Sequence, residues 1–128
     1  MTAEVTHGIR VSVDVRFAPE HSDVRNGDHV FVYDIRIANN SDRTVQLLRR
    51  HWHITDSLAE ASEVEGPGVV GETPILGPGE EFAYSSMCAL VSGFGRMEGT
   101  YSMLDRDTGR RFEVRIPAFE LLTPWYSN

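Results

Sequence analysis

The stretch Ile9 to Phe17 reads IRVSVDVRF, and its side chains alternate in character without a break. Ile9, Val11, Val13, Val15 and Phe17 fall on one face, and Arg10, Ser12, Asp14 and Arg16 on the other, which is the two-residue period of a half-buried strand. Downstream, Asn26-Gly27 marks a turn, and Phe31, Tyr33, Ile35 and Ile37 then alternate with Val32, Asp34 and Arg36 in a second strand.

The next apolar segment, Val45 to Thr55, changes phase. Val45 and Leu47 share one face while Leu48, Trp52 and Ile54 share the other, so a β-bulge near Leu47-Leu48, or a strand buried on both sides, is expected. LAEASEVE, Leu58 to Glu65, has the composition for one helical turn, but Gly66-Pro67-Gly68 stops any extension, so it reads as a loop leading into a short strand. Gly77-Pro78-Gly79-Glu80 is a tight turn, with a strand after it carrying Phe82 and Tyr84 on one face. Met97 to Leu104 and Arg111 to Ile116 pair as a hairpin across Asp105 to Arg110. Pro117 breaks the run, and Phe119, Leu121 and Leu122 form a last short strand. About seven or eight short strands with no amphipathic helix predict an all-β chain, an antiparallel sandwich or barrel.

A chain of 128 residues fits one domain, residues 1–128. Its net charge of -7 opposes a nucleic-acid partner. All 12 basic residues are Arg, which excludes chemistry that needs a lysine, such as a Schiff base or a P-loop ammonium. The opening MTAEVTHGIR has neither a basic n-region nor an apolar h-region, and no run is long enough to span a bilayer, so a cytoplasmic location without membrane insertion is expected. A lone Cys88 forms no intramolecular disulfide and, within MCALV, reads as core.

GPGVVGETP, Gly66 to Pro74, holds the spacing G-x-G-x-x-G at Gly66, Gly68 and Gly71. That spacing grips a pyrophosphate when it opens a helix whose free amides hold the phosphates. Pro74, Gly77, Pro78 and Gly79 forbid such a helix here, so the segment reads as an exposed connector. The alternative is an anion-binding nest of successive amides, helped by Arg49, Arg50 or Arg96.

Other residues carry weaker signals. His51 and His53 flank Trp52 on one strand face, a spacing at which two imidazoles share a metal, but the sequence assigns no third ligand. Asp105 to Gly109 suits a hairpin turn better than a calcium loop. G-x-S-x-G is absent, so no serine sits in a nucleophile elbow. GFGRMEGTY, Gly93 to Tyr101, places Arg96 and Glu98 among glycines that expose backbone, and such an edge would receive a partner strand with Phe94 as apolar anchor. Trp125-Tyr126 either docks on the domain or waits for a partner.

VQLLRRHWHITD (Val45 to Asp56), EVEGPGVVGETPILGPGE (Glu63 to Glu80), FGRMEGTY (Phe94 to Tyr101) and RFEVRIPAF (Arg111 to Phe119) lie in order across most of the chain. Together they resemble the ApaG family. The resemblance implies an immunoglobulin/fibronectin type III-like sandwich, and the family's glycine motif maps onto Gly66, Gly68 and Gly71. Asp56 to Ser62 departs from the short Gly or Asn turn of the family pattern. Bacterial members are linked to cobalt resistance and magnesium efflux under the alternative name CorD. Related domains in eukaryotic F-box proteins and a polymerase-associated protein imply protein binding. The expectation is a non-enzymatic binding or regulatory module with a protein partner and no cofactor, tied to divalent-cation homeostasis. The alternatives are nucleoside polyphosphate or pyrophosphate binding through GPGVVG, and direct divalent-metal binding.

Overall fold

The computed structural model describes residues 1–126, the side chain of Tyr126 excepted. In chain order its strands are β1 (Thr2–Thr6), β2 (Ile9–Phe17), β3 (His29–Asn39), β4 (Val45–Asp56), β5 (Ala59–Pro67), β6 (Ile75–Leu76), β7 (Glu81–Leu90), β8 (Phe94–Asp105) and β9 (Arg111–Leu122). One sheet has the order β1-β2-β3-β7, and the other β5-β4-β8-β9, with β6 also pairing β4. Every pairing is antiparallel.

The alternation that opens the chain fixes how the sheets meet. In β2 and β3, Val11 stands opposite Ile37, Val13 opposite Ile35 and Phe17 opposite Phe31. Their buried faces pack with Val45, Leu47, Trp52, Met97, Tyr101, Met103, Val114, Ile116 and Phe119 of the second sheet. Each such side chain fully withdrawn from water contributes about 1.5–3 kcal/mol, so this two-sided apolar layer is what holds the sheets face to face.

The expected bulge is present. The β4–β8 register slips between Leu47 and Arg49, which pair with the consecutive residues Met103 and Ser102. The extra residue, Leu48, lets Val45 and Leu47 on one side of the slip, and Trp52 and Ile54 on the other, all reach the core despite their opposite sequence phase.

The structure differs from the sequence reading in three places. Past the turn at Leu58, residues 59 to 65 are not a loop: β5 is a nine-residue strand, exposed along nearly its whole length. An edge strand wetted on both faces has no reason to alternate, so it leaves no period to read. Its hairpin turn is held by Asp56 Oδ1, which accepts the Leu58 amide at 3.1 Å. Second, β1 pairs with β2 through His7-Gly8, both at positive φ (51° and 81°), a hairpin turn without the usual Asn-Gly signature. Third, β9 runs straight through Pro117. Pro117 and Ala118 together oppose the single residue Glu98, a bulge at which the missing N–H costs no ladder bond. These changes bring the strand count among the described residues to nine.

The sandwich is closed along one flank, where β1 and β2 lie against β9. Along the other flank β7 and β5 are the outer strands of their sheets and do not pair with each other. Trp125 packs edge-on against Phe17 at 5.4 Å between centroids, so this residue docks on the domain, with 52% of its surface exposed.

Candidate functional site

The open flank is a groove. Two adjoining hollows, of ≈ 370 Å³ and ≈ 310 Å³, share Tyr33, Arg50, Trp52 and Ser86 as lining. Val69, Val70 and Gly71 border the first, and Val64 of β5 and Met87 of β7 border the second. Tyr33, Trp52 and Phe119 form an aromatic cluster beneath, with centroids 5.5–6.0 Å apart in tilted and edge-on arrangements. Val64, Val70 and Met87 are respectively 42%, 55% and 57% exposed, giving the groove an apolar rim.

The glycine segment builds one wall of this groove, in a geometry unlike a phosphate cradle. Gly66 lies within β5 opposite Arg50. A Cβ at Gly66 would sit 3.2 Å from the Arg50 guanidinium, so the missing side chain makes room for that group. The guanidinium donates to the carbonyls of Pro67 (2.9 Å) and Gly68 (3.0 Å). Val69 and Glu72 exchange both backbone hydrogen bonds across Val70-Gly71, whose φ values of 43° and 80° make a tight hairpin. The Gly68 amide donates to Leu48 at 2.8 Å. The loop thus presents the Pro67 and Gly68 carbonyls to its nearest cation and commits the Gly68, Val69 and Glu72 amides to backbone bonds, and β6 follows it where a pyrophosphate site needs a helix.

Of the three arginines expected near this loop, only Arg50 is there. Arg49 leaves β4 on the opposite face, where it meets Glu65 at 3.7 Å. Arg96 pairs with Glu98 at 3.7 Å on β8. Strand alternation past the bulge separates these side chains and removes a convergent basic cluster.

At Phe94, Arg96 and Glu98 the chain does not present the free strand edge that the sequence suggests. β8 is an interior strand, bonded to β4 on one side and β9 on the other. Its glycines permit close packing rather than exposing backbone: a Cβ at Gly99 would run into the His51 carbonyl, and one at Gly95 into the Thr55 carbonyl. Phe94 opens the strand at 41% exposure, and its carbonyl accepts the Ser57 amide at 3.1 Å.

His51 and His53 project from the outer face of β4, with ring centroids 4.5 Å apart. The neighbouring strand adds a residue that the sequence reading missed. Glu63 Oε1 lies 3.0 Å from His53 Nδ1 and 3.6 Å from His51 Nε2. The β4–β5 register that places Glu63 opposite His53 depends on a hairpin the sequence pattern does not reveal.

Two other candidates are structural. Asp105 Oδ1 accepts the amides of Asp107 (2.9 Å) and Thr108 (3.2 Å), and Oδ2 takes Arg43 Nη1 at 3.1 Å, so both oxygens serve the hairpin. Burial pushes this carboxyl up, but those hydrogen bonds outweigh it and leave it below the usual range. Cys88 is buried, and that burial, with Asp56 nearby, pushes its thiol up to about 11.

Architecture defines the class first: an immunoglobulin/fibronectin type III-like antiparallel β-sandwich with one flank closed and one open. Residues 19–105 match the ApaG domain family. The chain is 45% identical over 125 residues to Protein ApaG of Beijerinckia indica subsp. indica, covering 98% of this chain and 95% of that one. Against Protein ApaG of Methylobacterium sp. strain 4-46 it is 48% identical over 119 residues, 93% and 91% of the two chains. A crystal structure of a Bordetella pertussis protein described as ApaA superposes with a TM-score of 0.86 at 44% identity, over 91% of this chain and 94% of that one. This chain belongs to the ApaG family.

Proposed function

We propose that the chain is a non-enzymatic binding module that takes an extended segment of a partner protein onto the outer edge of β7. The observation that carries this reading is the composition of that edge. From Phe82 to Leu90 it reads FAYSSMCAL, nine residues without a charge. The other outer strands are guarded: β5 has Glu60, Glu63 and Glu65, β9 has Arg111, Glu113, Arg115 and Glu120, and in β1 Glu4 pairs with Arg115 at 3.0 Å. Charges on edge strands discourage strand addition, and an uncharged edge of this length is a template for it. An incoming strand bonded to β7 sends alternate side chains toward Val64 and the aromatic cluster, where an apolar anchor is withdrawn from water. Glu60, Glu63 and Glu65 on the facing strand favour a segment carrying basic residues.

The net charge of -7 favours a protein over a nucleic acid as partner. The part in cobalt and magnesium homeostasis implied by the family resemblance, in the cytoplasm, is exercised through that partner. Among the described residues no helix is long and apolar enough to cross a membrane.

A photo-crosslinking side chain at Met87 tests the reading in cells, with one at Glu113 on the far side as control. Adducts formed from position 87, absent from position 113 and abolished by Ala83→Lys or Ala89→Lys, are expected. Identical adducts from both positions, or turnover of a nucleoside polyphosphate lost in Arg50→Ala, would overturn it.

A further inference from the structure

We propose that His51, His53 and Glu63 form a binding site for a borderline divalent transition metal, of the Zn2+, Co2+ or Ni2+ class. The three residues lie on the outer face of the second sheet, away from the groove. One ligand atom from each lies within 4.8 Å of the other two. Ligands held at about 2.0–2.2 Å around a tetrahedral ion stand roughly 3.4 Å from one another. Two separations here, 3.0 Å and 3.6 Å, already bracket that value. The third separation is within 4.8 Å, and the side chains, 35%, 50% and 63% exposed, have solvent-side room to rotate toward an ion.

The donor set selects the ion. Two imidazoles and one carboxylate suit zinc and its neighbours, whereas Mg2+ and Ca2+ require oxygen ligands throughout. Three protein ligands on an exposed face leave the remaining position to water. The surroundings are acidic as well: Glu65 stands opposite His51, and Glu98 stands opposite His53 on the β8 side. Arg49 and Arg96 contact these outer carboxylates, at 3.7 Å each, and leave Glu63 to the histidines.

The location gives the site a mechanical effect. His51 and His53 belong to β4 and Glu63 to β5, so a bound ion cross-links an edge strand that is otherwise exposed along nearly its whole length. Binding therefore stabilises β5 in particular, through linkage between metal and folded state.

Chelator-treated protein titrated with Zn2+ in a calorimeter, and with Co2+ while its visible ligand-field bands are followed, tests the proposal. One ion per chain is expected, with no heat from Mg2+. His51→Ala, His53→Ala and Glu63→Gln should each weaken Zn2+ binding by about tenfold or more, while Glu65→Gln and His21→Ala leave it unchanged. All five positions are surface side chains, and circular dichroism checks that each variant keeps its strands. Amide exchange in residues 59–67 should slow on adding Zn2+ to the wild type and not in Glu63→Gln. Absence of Zn2+ binding at millimolar metal, or binding that survives all three ligand substitutions, would overturn the proposal.

Discussion

The hydroxyls of Tyr84 and Tyr101 meet at 2.5 Å, joining β7 of one sheet to β8 of the other through the core. Tyr101 is fully buried, whereas Tyr84 also borders the groove. Removing one partner leaves the other hydroxyl without its bond, so Tyr84→Phe should cost about 1–3 kcal/mol, the desolvation penalty of an unsatisfied buried group. Tyr101→Phe should cost less, because Tyr84 can turn to groove water. The double Phe variant should lose less than the sum, as a double-mutant cycle by urea unfolding will show.

The same pair predicts an alkaline limit. Burial pushes both phenols above their ordinary value, so the folded state holds protons that the unfolded chain releases at about pH 10. Stability from this source is complete below that pH and is lost as pH rises toward the folded values. A titration of unfolding free energy from pH 8 to 12 should fall above about pH 10, and more gently in the double Phe variant.

At the acid end the groups act in the opposite sense. Burial raises the Asp56 carboxyl, but its bonds to Ser92, Leu58 and Val91 bring it below the usual value, and Asp105 behaves likewise. Their contribution is present above the unfolded carboxylate pKa of about 4 and is lost as pH falls below it. Asp56→Asn should flatten the decline in stability measured between about pH 4 and 2.

Much of this architecture was legible from the chain alone, for a physical reason. β2, β3 and β9 bury one face and wet the other, so their burial is written in their alternation, and even the phase slip at Leu48 announced a bulge. β5 is wetted on both faces and wrote nothing. The candidate sites were harder to see because they depend on register: Glu63 meets His53 only once β4 and β5 pair, and Arg49 parts from Arg50 only because neighbours on a strand point opposite ways. Glycines that looked like exposed backbone in β8 prove to be points of closest approach between strands.

Asn39 offers a test of a buried polar pin. Its Nδ2 donates to the carbonyls of Arg43 (2.7 Å) and Leu76 (2.9 Å), and its Oδ1 accepts from the amide (3.0 Å) and the hydroxyl (2.6 Å) of Ser41. Asn39→Ala should destabilise by about 2–4 kcal/mol, since several groups lose partners at once. Asn39→Asp, which turns a carboxylate toward those two carbonyls, should be worse by the same thermal-denaturation measurement.

Val70 carries the opposite expectation. A β-branched residue at φ 43° is strained, and its side chain is more than half exposed. Val70→Asn should raise stability by about 1 kcal/mol, because Asn tolerates the left-handed region. A lowered melting temperature in that variant would contradict the turn geometry.

Cys88 should alkylate slowly. With its thiol pushed up to about 11, only about one molecule in a thousand is thiolate at pH 8, and the rate should climb roughly tenfold per pH step until that value is passed. Iodoacetamide labelling followed by mass spectrometry measures this directly.

The open flank is bridged near both ends, by Tyr84 with Tyr101 and by the Ser57–Ser92 hydroxyl bond of 2.7 Å beside Asp56. Its jaws are therefore held at a set gauge. In the proposed docking, a segment entering the flank would have to match that calibre on arrival, and a bulkier anchor would be turned away rather than accommodated.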